Sequence, residues 1–155
     1  MTTEDRLDVT ETVYRYAYGV DTRDFALYRS IFAERVAFDF TSFHGGAPTV
    51  VPADEWVTGV ERLFTRLAAT QHSMTNPIPS VDGDAATCRM YVRAHHVLDA
   101  DDPASWYTIG GYYDDTLVRA AAGPAGWLLT GVTLTVLWRR GDPAIMTRAA
   151  ADDPQ

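Results

Sequence analysis

Apolar side chains recur every three or four residues in three stretches of the first half of the chain, which is the spacing of one face of an α-helix. The stretches are residues 4–20, 24–32 and 52–69. Their apolar positions are Val9, Val13, Tyr16, Ala17 and Val20 in the first, Phe25, Tyr28 and Phe32 in the second, and Trp56, Val60, Phe64 and Leu67 in the third. Acidic residues open the first stretch, where the helix dipole favours negative charge. We therefore predict three helices.

In other parts of the chain, apolar residues alternate with polar or small ones, and this alternation predicts β-strands. The alternating runs are residues 36–40, 106–119 and 126–139, with two more inside residues 70–98. The two runs inside residues 70–98 flank Asp82-Gly83, a dipeptide typical of tight hairpin turns. We predict a long antiparallel hairpin there.

The hairpin pattern also predicts which side chains share a face, because side chains alternate across a strand. The first strand presents His72, Met74, Asn76 and Ile78 together, and the second presents Cys88, Met90, Val92, Ala94, His96 and Leu98. Pro77 and Pro79 cannot donate ladder hydrogen bonds, so the first strand should lie at an edge of the sheet or contain a bulge. Cys88, on the apolar face, should be a buried thiol.

The order of elements is helices, one strand, another helix and then four long strands, and this order favours an α+β fold. We predict a curved antiparallel sheet wrapped around the N-terminal helices, which leaves a concave pocket. One domain should span residues 1–141, and residues 142–155 should form a C-terminal tail.

Composition narrows the possible partners. The formal net charge is -8 and the isoelectric point lies near 4.8, which argues against nucleic acid and anionic membranes as partners. The sequence has one cysteine and no lysine, so an intramolecular disulfide, a thiolate metal cluster and lysine Schiff-base chemistry are excluded. No apolar run reaches the roughly 20 residues of a membrane span, and the start of the chain does not resemble a signal peptide. We expect a cytoplasmic protein that binds a small molecule and uses no metal and no cofactor.

The candidate chemistry rests on Asp21 and His72. Asp21 directly follows the end of the first predicted helix, and His72 lies among apolar residues of the hairpin. A carboxylate bonded to one imidazole nitrogen fixes the tautomer and makes the other nitrogen a better base near neutral pH. From the residues alone, His72 as an ordinary buried histidine remains the alternative.

Several segments resemble the SnoaL-like family of the nuclear-transport-factor-two-like superfamily. They are DTRDFALYRSIFAERVAFDF, TQHSMTN, VDGDAAT and GGYYDDTLVR followed by GW, and the similarity extends from about Asp5 to Gly141. The resemblance implies a cone-shaped α+β fold with a deep pocket. Within the superfamily, scytalone dehydratase and bile-acid dehydratases use a pocket Asp and His with nearby Tyr. Asp21 and His72 resemble that pair, Tyr16 resembles the bile-acid dehydratase tyrosine, and His96 resembles a second scytalone dehydratase histidine.

The resemblance implies a cofactor-independent dehydratase acting on an apolar, oxygenated metabolite, with Asp21, His72, Tyr16 and His96 as catalytic residues. The alternatives are an isomerase or a polyketide-type cyclase that uses the same pair, and a non-catalytic small-molecule binding protein. Asn76 shares the predicted face of His72 and should contact substrate together with apolar neighbours. The expected substrate-binding residues are Phe40, Trp56, Met74, Asn76, Met90 and Val92. The outward-facing strand residues Tyr91, Arg93 and His95 make a homodimer possible.

Overall fold

The structure is a computed structural model, and it describes residues 2–151. The helices are α1 Thr3–Asp21, α2 Phe25–Ser30, α3 Thr41–His44, α4 Ala53–Phe64 and α5 Ala144–Ala150. The strands are β1 Phe32–Asp39, β2 Thr49–Pro52, β3 Ala69–Asp82, β4 Ala85–Val97, β5 Trp106–Arg119 and β6 Trp127–Gly141. This arrangement confirms the predicted α+β class.

Helix α1 begins at a reciprocal cap and ends at the candidate carboxylate. Thr2 Oγ1 accepts a hydrogen bond from the Asp5 backbone N–H at 3.0 Å, and Asp5 Oδ2 accepts one from the Thr2 backbone N–H at 2.9 Å. The stripe predicted from the spacing is the buried face of the helix. The last residue of α1 is Asp21, which lies beside the start of β3.

The six strands form one curved, open sheet in the order β2-β1-β6-β5-β4-β3. The four long strands pair antiparallel, as predicted. Strand β1 runs parallel to β6, however, so the prediction of a wholly antiparallel sheet is wrong at this position. These two strands lie far apart in the sequence, so no local turn signal could report their direction. Helices α1 and α4 pack against the concave side.

The hairpin of β3 and β4 is confirmed, with Gly83 and Asp84 as its turn and β3 at the edge of the sheet. The predicted face of β3 is correct only as far as Met74. The register shifts between Thr75 and Ile78, so Asn76 takes a left-handed φ of 57° and is exposed, and Ile78 is 67% exposed. The shift includes Pro77, which has no N–H to donate to β4.

Other element bounds also differ from the sequence analysis. The predicted helix at residues 24–32 ends at Ser30, and the one at residues 52–69 ends at Phe64. Strand β2 was not predicted, since it has only four residues and lies at the other edge of the sheet. Within the predicted tail, residues 144–150 form α5, and Ile145 is fully buried. The rest of that tail beyond residue 151 lies outside the described residues.

Candidate active site

The concave face of the sheet and the helices enclose a cavity of about 270 Å³. Small-molecule sites typically occupy roughly 300–1,000 Å³, so this cavity lies near the lower end of the range. It is lined mainly by aromatic and aliphatic side chains, among them Tyr16, Val20, Tyr28, Phe40, Phe43, Trp56, Leu63, Phe64, His72, His96, Ile109, Tyr113, Leu134 and Met146. Among residues 2–151, no Arg, Asp or Glu side chain lines it. A charged ligand would therefore lose its hydration without gaining an ion pair.

Asp21 and His72 meet at one wall of this cavity. Asp21 Oδ1 lies 2.8 Å from His72 Nδ1, and Asp21 Oδ2 accepts a hydrogen bond from the His72 backbone N–H at 2.6 Å. The His72 ring lines the cavity, whereas Asp21 lies behind it on the outer side. The end of α1 and the start of β3 thus bring together the two residues that the sequence analysis paired.

The partners of the His72 ring define its tautomer. A carboxylate accepts hydrogen bonds, so Nδ1 carries a proton, and in the neutral ring Nε2 keeps its lone pair. Burial raises the pKa of Asp21, but the hydrogen bond from the His72 ring, the attraction of a charged His72, and hydrogen bonds from the His72 backbone and Thr70 outweigh it. The pKa is therefore lowered, and the carboxylate stays charged. The arrangement is that of an oriented imidazole base.

His96 lies next to His72, with ring centroids 5.6 Å apart and planes nearly perpendicular. Its Nδ1 lies 3.3 Å from the Tyr107 carbonyl oxygen, which can only accept, so Nδ1 carries the proton. Burial, followed by repulsion from a charged His72, lowers the pKa of His96 to about 4. At neutral pH His96 is therefore uncharged and presents Nε2 as an acceptor, which does not suit it to donate a proton to a leaving group.

Three tyrosines cluster at the inner end of the cavity. Tyr16 shares side-chain hydrogen bonds with Tyr28 and with Tyr113, and its ring centroid lies 5.0 and 5.5 Å from theirs. Trp56 Nε1 donates a further hydrogen bond to the Tyr28 hydroxyl at 3.0 Å. Burial raises the pKa of all three hydroxyls well above the ordinary value, so they remain protonated.

The predicted substrate-binding residues divide into two groups. Phe40 and Trp56 line the cavity, with ring centroids 5.3 Å apart. The others lie outside the lining: Met74, Met90 and Val92 pack into the core, and Asn76 is exposed beyond the bulge of β3. For Asn76 the expectation fails because the bulge shifts the alternation on which it depended.

Sequence reasoning did not assign Tyr28, Tyr113 or Phe64 to the site, although each lines the cavity. Tyr28 and Phe64 belong to the apolar stripes of predicted helices, where a core residue and a pocket residue look the same. In β5, the alternation of Tyr113 with Asp114 predicts that the Tyr113 side chain points inward, but it does not predict which side chains Tyr113 contacts.

A second buried carboxyl lies in the core near the tyrosines. Asp115 is 3% exposed, pairs across the sheet with Cys88 and Val132, and its Oδ1 has no hydrogen-bond partner in the described part of the chain. Burial, with a smaller contribution from the charge of Asp114, raises the pKa of Asp115 well above its ordinary value. Burial also raises the pKa of the Cys88 thiol to about 12, so this cysteine is not an activated nucleophile.

Neither a metal-binding cluster nor a membrane-spanning helix is found among residues 2–151. No group of three or more His, Cys, Asp or Glu side chains in this range is arranged to hold a metal ion. None of the helices described there is long and apolar enough to cross a membrane.

Comparisons with known proteins agree with the overall fold. No curated protein is significantly similar to the chain in sequence. Among solved structures, the Kfla4162 protein of Kribbella flavida is 32% identical with a TM-score of 0.83, over 93% of this chain and 97% of that protein. A proposed aromatic ring hydroxylase of Novosphingobium aromaticivorans is 26% identical with a TM-score of 0.79, over 94% of this chain and 99% of that protein.

A proposed scytalone dehydratase of Novosphingobium aromaticivorans is 20% identical with a TM-score of 0.74, over 92% of both chains, and this likeness shows the fold alone. The sequence profile of the SnoaL-like domain matches residues 1–133, most of the chain. The resemblance found in the sequence is thereby confirmed, and the chain belongs to the SnoaL-like family.

Proposed function

We propose that this protein is a cofactor-independent hydro-lyase that dehydrates an apolar, oxygenated metabolite such as a polyketide-like or steroid-like compound. The observation that carries the proposal is the carboxylate-oriented imidazole of His72, which lines the same apolar cavity as a tyrosine cluster. The same fold also occurs in proteins named as a scytalone dehydratase and a dehydratase.

The first step is removal of a proton from the carbon next to a carbonyl group. His72 Nε2 accepts that proton, the C–H electron pair moves toward the carbonyl oxygen, and Asp21 stabilises the imidazolium that forms. The enolate then expels the β-hydroxyl group, which takes up the proton held on His72 Nε2 and leaves as water, so that His72 is neutral again. The products are an unsaturated carbonyl compound and water, and no electrons enter or leave.

The tyrosine cluster supplies the donor. Two hydrogen bonds join its three hydroxyls, so one of the three hydroxyl protons remains for a bound ligand. Tyr16, at the centre, directs that hydroxyl as a hydrogen-bond donor toward the developing oxyanion and keeps its proton. His96, neutral and with an accepting Nε2, holds a substrate hydroxyl by accepting its hydrogen bond.

An isomerase or a cyclase would begin with the same proton removal, so product analysis separates these reactions from dehydration. The test uses a series of one-ring and two-ring aryl β-hydroxy ketones. Mass spectrometry detects loss of water, and NMR in D₂O detects exchange of the proton next to the carbonyl even where no water is lost.

The decisive variants are His72→Gln and Asp21→Asn. We expect turnover or exchange to fall by roughly 10²- to 10⁴-fold in His72→Gln, the usual contribution of a general base. His95→Gln is the matched control, because His95 lies on the same hairpin and faces away from the cavity. Unchanged turnover in both His72→Gln and Asp21→Asn would refute the mechanism. A ligand that binds in the cavity and is recovered unchanged would instead favour a non-catalytic binding protein.

A further inference from the structure

Arg23 lies just behind the Asp21–His72 pair, outside the cavity, in a conformation that side-chain-bearing residues rarely adopt. Its φ of 62° is left-handed, and such positions in non-glycine residues persist only where the surroundings hold them. Its guanidinium donates to the backbone oxygens of Val20 at 2.8 Å, Asp21 at 3.3 Å and Leu67 at 3.3 Å. These bonds tie the end of α1 to the segment that leads into β3.

The same guanidinium fixes the direction of a hydrogen bond to the catalytic carboxylate. Arg23 Nη1 lies 2.7 Å from Thr70 Oγ1, and Thr70 Oγ1 lies 2.9 Å from Asp21 Oδ1. A guanidinium can only donate, so the Thr70 oxygen accepts from Arg23 and its own proton points to Asp21. Asp21 therefore accepts three hydrogen bonds, from the Thr70 hydroxyl, the His72 ring and the His72 backbone.

Arg23 also reaches the other support of the imidazole. Its guanidinium carbon lies 5.7 Å from the centroid of the Phe64 ring, and Phe64 stacks on His72 with centroids 5.9 Å apart and planes at 28°. The Arg23 guanidinium thus contacts both Thr70, which donates a hydrogen bond to Asp21, and Phe64, whose ring stacks on His72.

We propose that Arg23 and Thr70 are positioning residues that hold the Asp21–His72 pair in its working geometry from outside the cavity, an inference that rests on the proposed role of His72 as the base. Neither residue lines the cavity, so neither touches a substrate there. The charged or titratable groups that face Asp21 include His72, Arg23 and Tyr113, with His96 beyond the His72 ring.

The test compares Thr70→Val with Thr70→Ser. Valine keeps the shape and the strand preference of threonine and removes only the hydroxyl, and serine restores it. We expect kcat of Thr70→Val to fall roughly tenfold to hundredfold, the factor carried by a hydrogen bond to a charged group, with KM nearly unchanged. Thr70→Ser should recover most of kcat. Thr75→Val is the matched control, because Thr75 lies on the same strand, exposed and away from the pair.

A second readout needs no substrate. In the free protein, ¹³C NMR follows the titration of the Asp21 carboxyl and ¹⁵N NMR reports which His72 ring nitrogen carries the proton. Because the Thr70 hydroxyl lowers the pKa of Asp21, Thr70→Val should move that titration to higher pH and mix the two His72 tautomers. A residue that merely supports the fold would change stability and leave both signals in place.

Arg23→Gly and Arg23→Lys test the cation. Glycine adopts a φ of 62° without strain, so Arg23→Gly removes the guanidinium while keeping the turn. We expect it to reproduce the NMR changes of Thr70→Val, and Arg23→Lys, which keeps one donor and the charge, to lie closer to wild type.

Unchanged Asp21 and His72 signals in both Thr70→Val and Arg23→Gly would overturn the proposal, as would equal changes in Thr75→Val. If the wild-type protein turns over no probe, the proposed function fails separately, and the NMR arms still decide whether Arg23 and Thr70 position the pair.

Discussion

Asp115 offers a stability measurement whose sign follows directly from its surroundings. In the folded protein burial raises the pKa of its carboxyl, so the group stays protonated, while in the unfolded chain it ionises near its ordinary pKa of about 3.9. Between these two pKa values the folded state holds one proton more than the unfolded state. Stability from this group is therefore fully present below the unfolded pKa and is lost as pH rises toward the folded pKa.

Asp115→Asn removes that dependence and keeps the shape of the side chain. Relative to wild type, the variant should gain up to about 1.4 kcal/mol of unfolding free energy per pH unit within this window. For a chain of this length, that corresponds to a relative increase in Tm of roughly 3–6 °C per pH unit. Below the unfolded pKa the difference between the two proteins should become constant, because the carboxyl is protonated in both states.

Urea and thermal denaturation at pH 5, 6, 7 and 8 measure this difference. Asp101→Asn is the matched control, since Asp101 is exposed and its variant should follow wild type at every pH. A difference between Asp115→Asn and wild type that stayed constant from pH 5 to pH 8 would show that burial does not keep this carboxyl neutral.

Four other outcomes are expected. The wild-type protein should lose roughly 3 kcal/mol of unfolding free energy as pH falls from about 6.5 to about 4, because unfolding lets His96 take up a proton. His96→Gln should not show this loss, and acid denaturation of the two proteins measures the difference. Tyr16→Phe should lower kcat by roughly 10²-fold with a small change in KM, because the cluster loses its central hydroxyl; steady-state kinetics would refute this with an unchanged kcat. Gly111→Ala should cost roughly 3 kcal/mol or more, since a Cβ there would lie 1.9 Å from the Thr135 backbone oxygen. Gly59→Ala, with open space around its Cβ position, should instead gain about 0.5–1 kcal/mol, and urea unfolding compares the two.

The sequence predicted best what is decided locally. Asp82-Gly83 indicated the hairpin, and the alternation from Met90 to His96 indicated the buried face of β4, because turn chemistry and side-chain alternation act over a few residues. The parallel pairing of β1 with β6 could not be predicted in this way, since it depends on contacts between segments almost 100 residues apart.

The candidate site shows the same division. Asp21 and His72 were paired through chemistry and resemblance, and the structure adds the distance between them. Arg23 and Thr70 carried no signal in the sequence, because their role depends on where the turn after α1 meets the start of β3. The prediction for Asn76 was wrong because β3 has a bulge at Pro77. Side-chain alternation predicts faces only for a regular strand, so it does not account for this bulge.

Helix α5 contributes to the cavity wall, so it helps to determine which ligands fit in the cavity. Ile145 anchors this helix in the core, and Met146 forms part of the cavity wall. Methionine is unbranched and flexible, so this part of the cavity wall can adapt to ligands of different shapes. A recombinant chain cut after Gly141 would contain every strand of the sheet but would lose the buried Ile145 and the part of the cavity wall formed by Met146. Fusions at the carboxyl end should therefore be designed with the ligand space in mind.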